Sequence, residues 1–397
     1  MEKMTEWVHP LTITGDAATE ERYLRRNHIN EYFWREVKKG NHLLFVAPRR
    51  VGKTSIMQDL ADNCPEGYAG IYQNIEGVKS KDDFYQRLFD LILQCIKRSK
   101  LREAKEWIAD FFSKHPIEEI SSSGIKLASG EVDYERRLRQ LIPELEKSEI
   151  RAVIFLDEFA EVIHRLSRTG HQQDAIDILH LLREMRGNEA FGYVTLVYGG
   201  SIGLEFVIKS IDRLKLINDL HRIKIGPLST EEAIRLIRQL TARATIWFTP
   251  ETIDHLLETI HYLLPYYLQL MLEEINLVAY ERSNPFVSIE AIDAAYQRVL
   301  SKRANFEDWL ERLKTYQKDH FLFINAILIN ASHYGGIKVR EIYQLAIDPK
   351  YNKAEDYMDF VWQLIDDGYL AETTEQTYVF VSPLLKKFWQ RKFPVIA

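Results

Sequence analysis

Cysteine is scarce in this chain. Cys64 and Cys95 are the only two in 397 residues. They fit no zinc-ligand spacing and build no disulfide framework, so a reducing, cytoplasmic setting is expected. Long apolar runs are also lacking. The longest candidate, Phe321 to Ala331, is too short to span a bilayer and contains Asn325 and Asn330. It reads as a buried helix, and no membrane partner is expected. Residues Met1 to Glu6 carry no apolar signal core. Positive charge is not in excess: 52 Lys and Arg stand against 58 Asp and Glu, a formal net charge of −6. A bulk nucleic-acid binder draws its affinity from Lys and Arg at phosphates, so that class is disfavoured. Repeats and low-complexity linkers are absent. His164, His171 and His180 share one helical region with Asp174 and Asp177, but no pair has the i, i+4 spacing of a metal site.

What is present is apolar enough for large cores. The chain is 46% hydrophobic and 28% charged, which suits two or three domains. The most informative stretch is Ala47-Pro48-Arg49-Arg50-Val51-Gly52-Lys53-Thr54-Ser55. It follows the apolar run Leu43 to Val46 and opens an amphipathic helix. Strand, tight loop, Gly-Lys-Thr and helix together form the pattern of a phosphate-binding loop. Backbone N–H groups of such a loop turn inward around phosphates, and the helix N-terminus adds partial positive charge. Lys53 is expected to reach the β- and γ-phosphates, and Thr54 to hold Mg²⁺ through its hydroxyl. Ala47 stands where the pattern has Gly. Alanine disfavours positive φ, so the loop is expected to keep its first position out of the left-handed region.

A second motif supports the first. Ala152 to Leu156 are five apolar residues in a row, followed by Asp157 and Glu158. Such a run predicts a strand buried on both faces of a parallel sheet. Its C-terminal end is where ligands bind in open α/β sheets. Asp157 is expected to orient Mg²⁺ through water, and Glu158 to polarise an attacking water. A third strand over 193–197 ends in Gly199-Gly200-Ser201. Ser201 reads equally as a γ-phosphate sensor or as part of a turn before a helix at 202–210.

Strands and helices alternate through the first half. Helices are expected near 26–39, 80–98, 133–147 and 171–187, with strands near 68–75 and 222–225. Residues 99–135 look like an insertion containing a helix and a short strand, Ile125-Lys126-Leu127. This order predicts an α/β fold, a parallel sheet covered by helices, over 1–226. Ser229-Thr230-Glu231-Glu232 then starts a nearly all-helical region over 227–300. A charged segment at 301–318 is read as a linker. Helices near 319–332, 338–346 and 353–367, the strands around Leu370 and Val379, and a last helix from Pro383 to Lys392 make a winged-helix pattern over 319–397.

This order of parts resembles the AAA+-like, P-loop ATPases of the STAND group, closest to its short bacterial and archaeal members. The resemblance covers nearly the whole chain. It rests on residues 47–55 (Walker A), Phe155 to Phe159 (Walker B), Gly199 to Ser201, Pro227 to Ala233, and Ser382 to Trp389. It implies ATP or ADP with Mg²⁺ as cofactors, with adenine preferred, and no Asn-Lys-x-Asp guanine motif is present. The resemblance places Arg26 near the adenine, although Arg25 replaces the usual Gly before it. It places Pro265 of a helical lid against the nucleotide, although the lid motif lacks its Gly. Arg213 and Arg222 lie in the region of a trans-acting arginine finger, where solvated or lid-paired roles are the alternatives. Arg49 and Arg50 are open between phosphates, a partner domain and water.

Two function classes remain. One is a nucleotide-driven switch that hydrolyses ATP slowly, with a protein partner or self-assembly through the lid and winged helix. The other is a DNA-binding regulator or mobile-element helper. The expected third helix of the winged domain carries Glu355, Asp356, Asp359, Asp366 and Asp367, which would repel a phosphate backbone. The basic residues Lys386, Lys387, Arg391 and Lys392 on the last helix keep DNA in play, with a solvated face as the alternative.

Overall fold

A computed structural model describes residues 6–98, 102–114, 120–121, 124–125, 132–148, 150–200, 203–373 and 376–395. The chain divides into two compact units. One comprises 27–46 and 56–224, and the other 1–26, 47–55 and 225–397.

The first unit contains α1 (Asn27–Lys38), β1 (Leu43–Val46), most of α2 (Lys53–Asp62), β2 (Tyr68–Asn74), α3 (Lys81–Arg98), α4 (Arg102–Lys114), β3 (Ile120–Ser121), β4 (Gly124–Ile125), α5 (Tyr134–Glu144), β5 (Arg151–Asp157), α6 (Phe159–Arg168), α7 (Gln172–Gly187), β6 (Val194–Tyr198), α8 (Leu204–Ser210) and β7 (His221–Lys224). Five strands form one sheet in the order β2-β5-β6-β1-β7, with every pairing parallel. The five-residue apolar run expected to be buried on both faces is β5, and every residue from Ala152 to Asp157 is buried. Phe33 of α1 stacks on Phe155 of β5 with ring centroids 5.5 Å apart, so a helix seals one face of the central strands. Parallel strands need such cover, because crossovers place helices over both faces. The short strand expected at 125–127 is instead the second arm of a two-residue pairing, Ile120–Ser121 with Gly124–Ile125. Lys126 and Leu127 lie outside the described residues.

The second unit contains α9 (Thr230–Thr241), α10 (Pro250–Ile260), α11 (Pro265–Glu281), α12 (Ile289–Ser301), α13 (Ala304–Tyr316), α14 (Phe321–His333), β8 (Ile337–Lys338), α15 (Val339–Ile347), α16 (Tyr357–Asp366), β9 (Leu370–Glu372), β10 (Thr377–Phe380) and α17 (Pro383–Lys392). Helix α9 starts with a complete capping box: Ser229 Oγ accepts the Glu232 N–H, and Glu232 Oε2 accepts the Ser229 N–H. The charged segment 301–318 is not a linker in structure. It holds α13, whose Phe306, Trp309, Leu310 and Leu313 are buried. Its apolar residues recur at i, i+3, i+4 and i+7, a helical stripe masked by the charges between them. Strands β8, β10 and β9 form an antiparallel three-stranded sheet, with β8 between α14 and α15 in the chain and β9 and β10 after α16. Helix α17 seats Trp389 in that core, its Nε1 donating to Asn325 Oδ1 at 3.0 Å. Asn325 therefore satisfies a buried indole inside the apolar helix α14. No helix among the described residues is long and apolar enough to cross a membrane.

Candidate functional site

The phosphate loop leaves the C-terminal end of β1 and enters α2, which begins at Lys53. Gly52 has φ of 90°, and open space surrounds its Cβ position. Arg50 is the other left-handed residue, with φ of 65°, and Ala47 is not left-handed. The loop thus moves its left-handed positions away from the alanine. Val51 and Ser55 are buried, while Lys53 and Thr54 at the first turn are half-buried. A helix N-terminus with Lys and Thr in its first turn, entered through a left-handed Gly, has the chemistry to take phosphate.

The outer side of this loop is held by side chains of its own unit. Arg49 Nη2 donates to Asp308 Oδ2 at 2.8 Å, and Arg50 Nη2 to the same oxygen at 2.7 Å. Arg50 also lies over the Tyr266 ring, 4.6 Å from its centroid. Burial pushes the Asp308 carboxyl up, but the two guanidinium groups outweigh it and leave it below the ordinary carboxylate range. Arg49 and Arg50 are therefore committed to α13 and α11. Gly368, between α16 and β9, has φ of 80°, and a Cβ there would stand 2.5 Å from Pro48 Cβ. Only glycine lets that turn close on Pro48. Pro265 is the first residue of α11, beside the Tyr266 that Arg50 covers.

Arg26 lies in the same unit and is 6% exposed. Its Nε donates to Glu232 Oε1 at 3.2 Å, Nη1 to the Gly226 carbonyl at 2.8 Å, and Nη2 to the Pro227 carbonyl at 3.0 Å. It fixes the entry into α9.

In the sheet unit, Asp157 ends β5 and is 1% exposed. Tyr72 Oη donates to its Oδ2 at 3.1 Å, and the Glu158 N–H to its Oδ1 at 3.1 Å. Gly199, after β6, crowds the same carboxylate: a Cβ there would stand 2.8 Å from Asp157 Oδ1 and 2.8 Å from Met57 Sδ. Glu158 caps α6 in the left-handed region, with φ of 58°. A carboxylate residue held there stores strain, which proteins keep chiefly at working sites. Ser201 lies outside the described residues. Arg222 pairs with Glu205, and Arg213 donates from Nη1 to the Asp212 carbonyl at 2.9 Å.

No group of three or more His, Cys, Asp or Glu able to hold a metal exists among the described residues.

Sequence reasoning did not single out Asp308, Arg312 or Gly368. Each is distant in sequence from the loop, and no local pattern marks them. Asp367, expected among the carboxylates of the third helix, is 8% exposed. The helix ends at Asp366, and the turn directs the next side chain inward. Two residues of the basic last helix are also engaged: Lys392 pairs with Glu307, and Arg391 donates to the Leu300 carbonyl.

No protein-family model matches the chain, and no curated protein matches it in sequence. Solved structures do match its fold. A Walker-type ATPase of Pyrococcus abyssi superposes with a TM-score of 0.64 at 15% identity, over 95% of this chain and all of that one. The Aeropyrum pernix ORC2 protein, in its ADPNP and ADP complexes, superposes with a TM-score of 0.54 at 14% identity, over 98% of this chain and 97% of that one. At such identities the likeness is one of fold: a five-stranded parallel sheet with helical cover and a helical C-terminal part.

Proposed function

We propose that the chain binds ATP and ADP with Mg²⁺ and hydrolyses ATP slowly, as a nucleotide-driven switch of the AAA+-like STAND type. The observation that carries this reading is the phosphate loop itself: Lys53 and Thr54 open α2 directly after a left-handed Gly52. The ADPNP and ADP complexes of the Aeropyrum pernix protein add support from a shared fold.

In this reading the loop N–H groups and Lys53 hold the β- and γ-phosphates. Thr54 and Asp157 would hold the metal, which would neutralise phosphate charge. Glu158 accepts a hydrogen bond from the water whose oxygen attacks the γ-phosphorus, and the bond to the β-phosphate oxygen breaks. Arg26 and Pro265 line the base side, and Ser201 belongs to the γ-phosphate side. Helices α14 to α16 and the sheet β8-β10-β9 are read as a winged helix that meets the loop at Pro48 through the Gly368 turn, while α13 and α11 hold Arg49 and Arg50. A ligand with different affinity for gripped and released loops shifts that equilibrium. Protein partners or self-assembly would read the change, in the cytoplasm.

The DNA-binding alternative is less well supported. Arg391 donates to the Leu300 carbonyl and Lys392 pairs with Glu307 at the surface, so two of the four basic residues already have partners within the chain. Duplex binding at low salt in the presence of ATP would restore it.

The test is ATP turnover across protein concentrations for the wild type, Lys53→Ala and Glu158→Gln. Lys53→Ala should lose nucleotide, and Glu158→Gln should keep it with turnover down about 100-fold. Unchanged ATP affinity in Lys53→Ala would sink the reading. Turnover per molecule that rises with concentration would show a site completed by a neighbouring copy.

A further inference from the structure

Arg312 has no part in the mechanism above. Arg312, on α13, is 6% exposed, and neither Nη1 nor Nη2 has a hydrogen-bond acceptor. Nearby Trp309, fully buried on the same helix, has an indole Nε1 that also lacks one. The anion beside Arg312 is Asp367, whose Oδ1 stands 3.8 Å from Nη2, too far for a hydrogen bond. Burying a guanidinium is costly unless its donors are used, so this one calls for a further acceptor.

The place of this pair gives the acceptor its chemistry. Asp367 precedes Gly368, the residue that closes on Pro48 of the phosphate loop. Burial, with the neighbouring Asp366 charge, pushes the Asp367 carboxyl up to about 6, against the pull of Arg312, a Gln363 hydrogen bond and, least of these, Lys53.

We propose that Arg312 is a ligand for the terminal phosphate of a nucleoside triphosphate, and that the Asp367 carboxylate holds that place when the phosphate is absent. This rests on the phosphate-loop reading of Lys53. A tetrahedral phosphate has three oxygens and a reach that the carboxylate, tethered to α16, does not have. It would satisfy the guanidinium fork that Asp367 leaves open. A diphosphate lacks the terminal group, so it leaves Asp367 in position. A triphosphate displaces Asp367 and with it the Gly368 turn on Pro48, so the C-terminal module distinguishes ATP from ADP.

The experiment is calorimetric titration of the full chain with ADPNP and with ADP, for the wild type, Lys53→Ala, Arg312→Gln and Asp367→Asn. Arg312→Gln should weaken ADPNP roughly 10- to 100-fold, the worth of a charged hydrogen bond, and ADP less than about twofold. Asp367→Asn should tighten ADPNP relative to ADP by about tenfold, because the competing charge is gone. Should Arg312→Gln fail to fold, Asp367→Asn alone decides. An ADPNP-to-ADP ratio unchanged in the folded variants would overturn the proposal and make Arg312 and Asp367 a structural pair. Full ADPNP binding by Lys53→Ala would instead refute the phosphate-loop reading, and this proposal with it.

Discussion

Arg26 and Glu232 form an ion pair at 3.2 Å between side chains that are each more than nine-tenths buried. Glu232 also closes the capping box of α9. Removing one partner strands the other charge in the interior, which costs about 3–5 kcal/mol. Arg26→Ala should lower unfolding stability by about that amount in a urea titration. A loss below about 1 kcal/mol would place the pair among weak surface bridges.

Gly199 should be as sensitive as a site residue although it touches no ligand. An added Cβ would press on Asp157 Oδ1 and Met57 Sδ, each 2.8 Å away. Displacing a catalytic group by about 1 Å can cost about 100-fold. Gly199→Ala should therefore reduce Mg²⁺-dependent ATP turnover by about 10- to 100-fold with the protein still folded by circular dichroism. Wild-type turnover would show that Asp157 does not need its position.

Acid should act through His42. Its Nδ1 accepts the Leu196 N–H at 2.9 Å, and burial, helped by Arg186, lowers its pKa from 6.5 to about 4. The unfolded chain therefore binds a proton near pH 6.5 that the folded chain refuses until about pH 4. This contribution is fully present above 6.5 and is lost as pH falls towards 4. It amounts to on the order of 3 kcal/mol. Stability measured between these pH values should fall less steeply in His42→Asn. Equal slopes in the two proteins would remove His42 from the account.

Gly368 tests the grip on the loop. Alanine there would take on positive φ and a contact 2.5 Å from Pro48 Cβ. Gly368→Ala should cost about 1–3 kcal/mol, read as a lower melting temperature without nucleotide. A melting curve identical to wild type would mean that the turn does not bear on Pro48 in solution.

Local chemistry made much of this chain readable in advance. Gly52-Lys53-Thr54 behind β1 and Asp157-Glu158 behind β5 carry their meaning in neighbouring residues, because a strand end and a helix start are local events. Pro383 to Lys392 was readable for the same reason: Ser382 caps the helix and Pro383 begins it. The helix at 304–316 was hidden by its charges, although its apolar stripe was present. What surrounds the loop was not readable at all. Arg49 and Arg50 could have met phosphate, water or protein, and only folding brought Asp308 and Tyr266 to them. Asp367 looked like a surface acid until the end of α16 turned it inward beside Arg312. Sequence alone determined the strand–loop–helix and the carboxylate that ends the central strand, since backbone propensity and period are written within a few residues. Tertiary structure decided which distant side chains grip that loop, because burial and charge pairing depend on residues hundreds of positions apart.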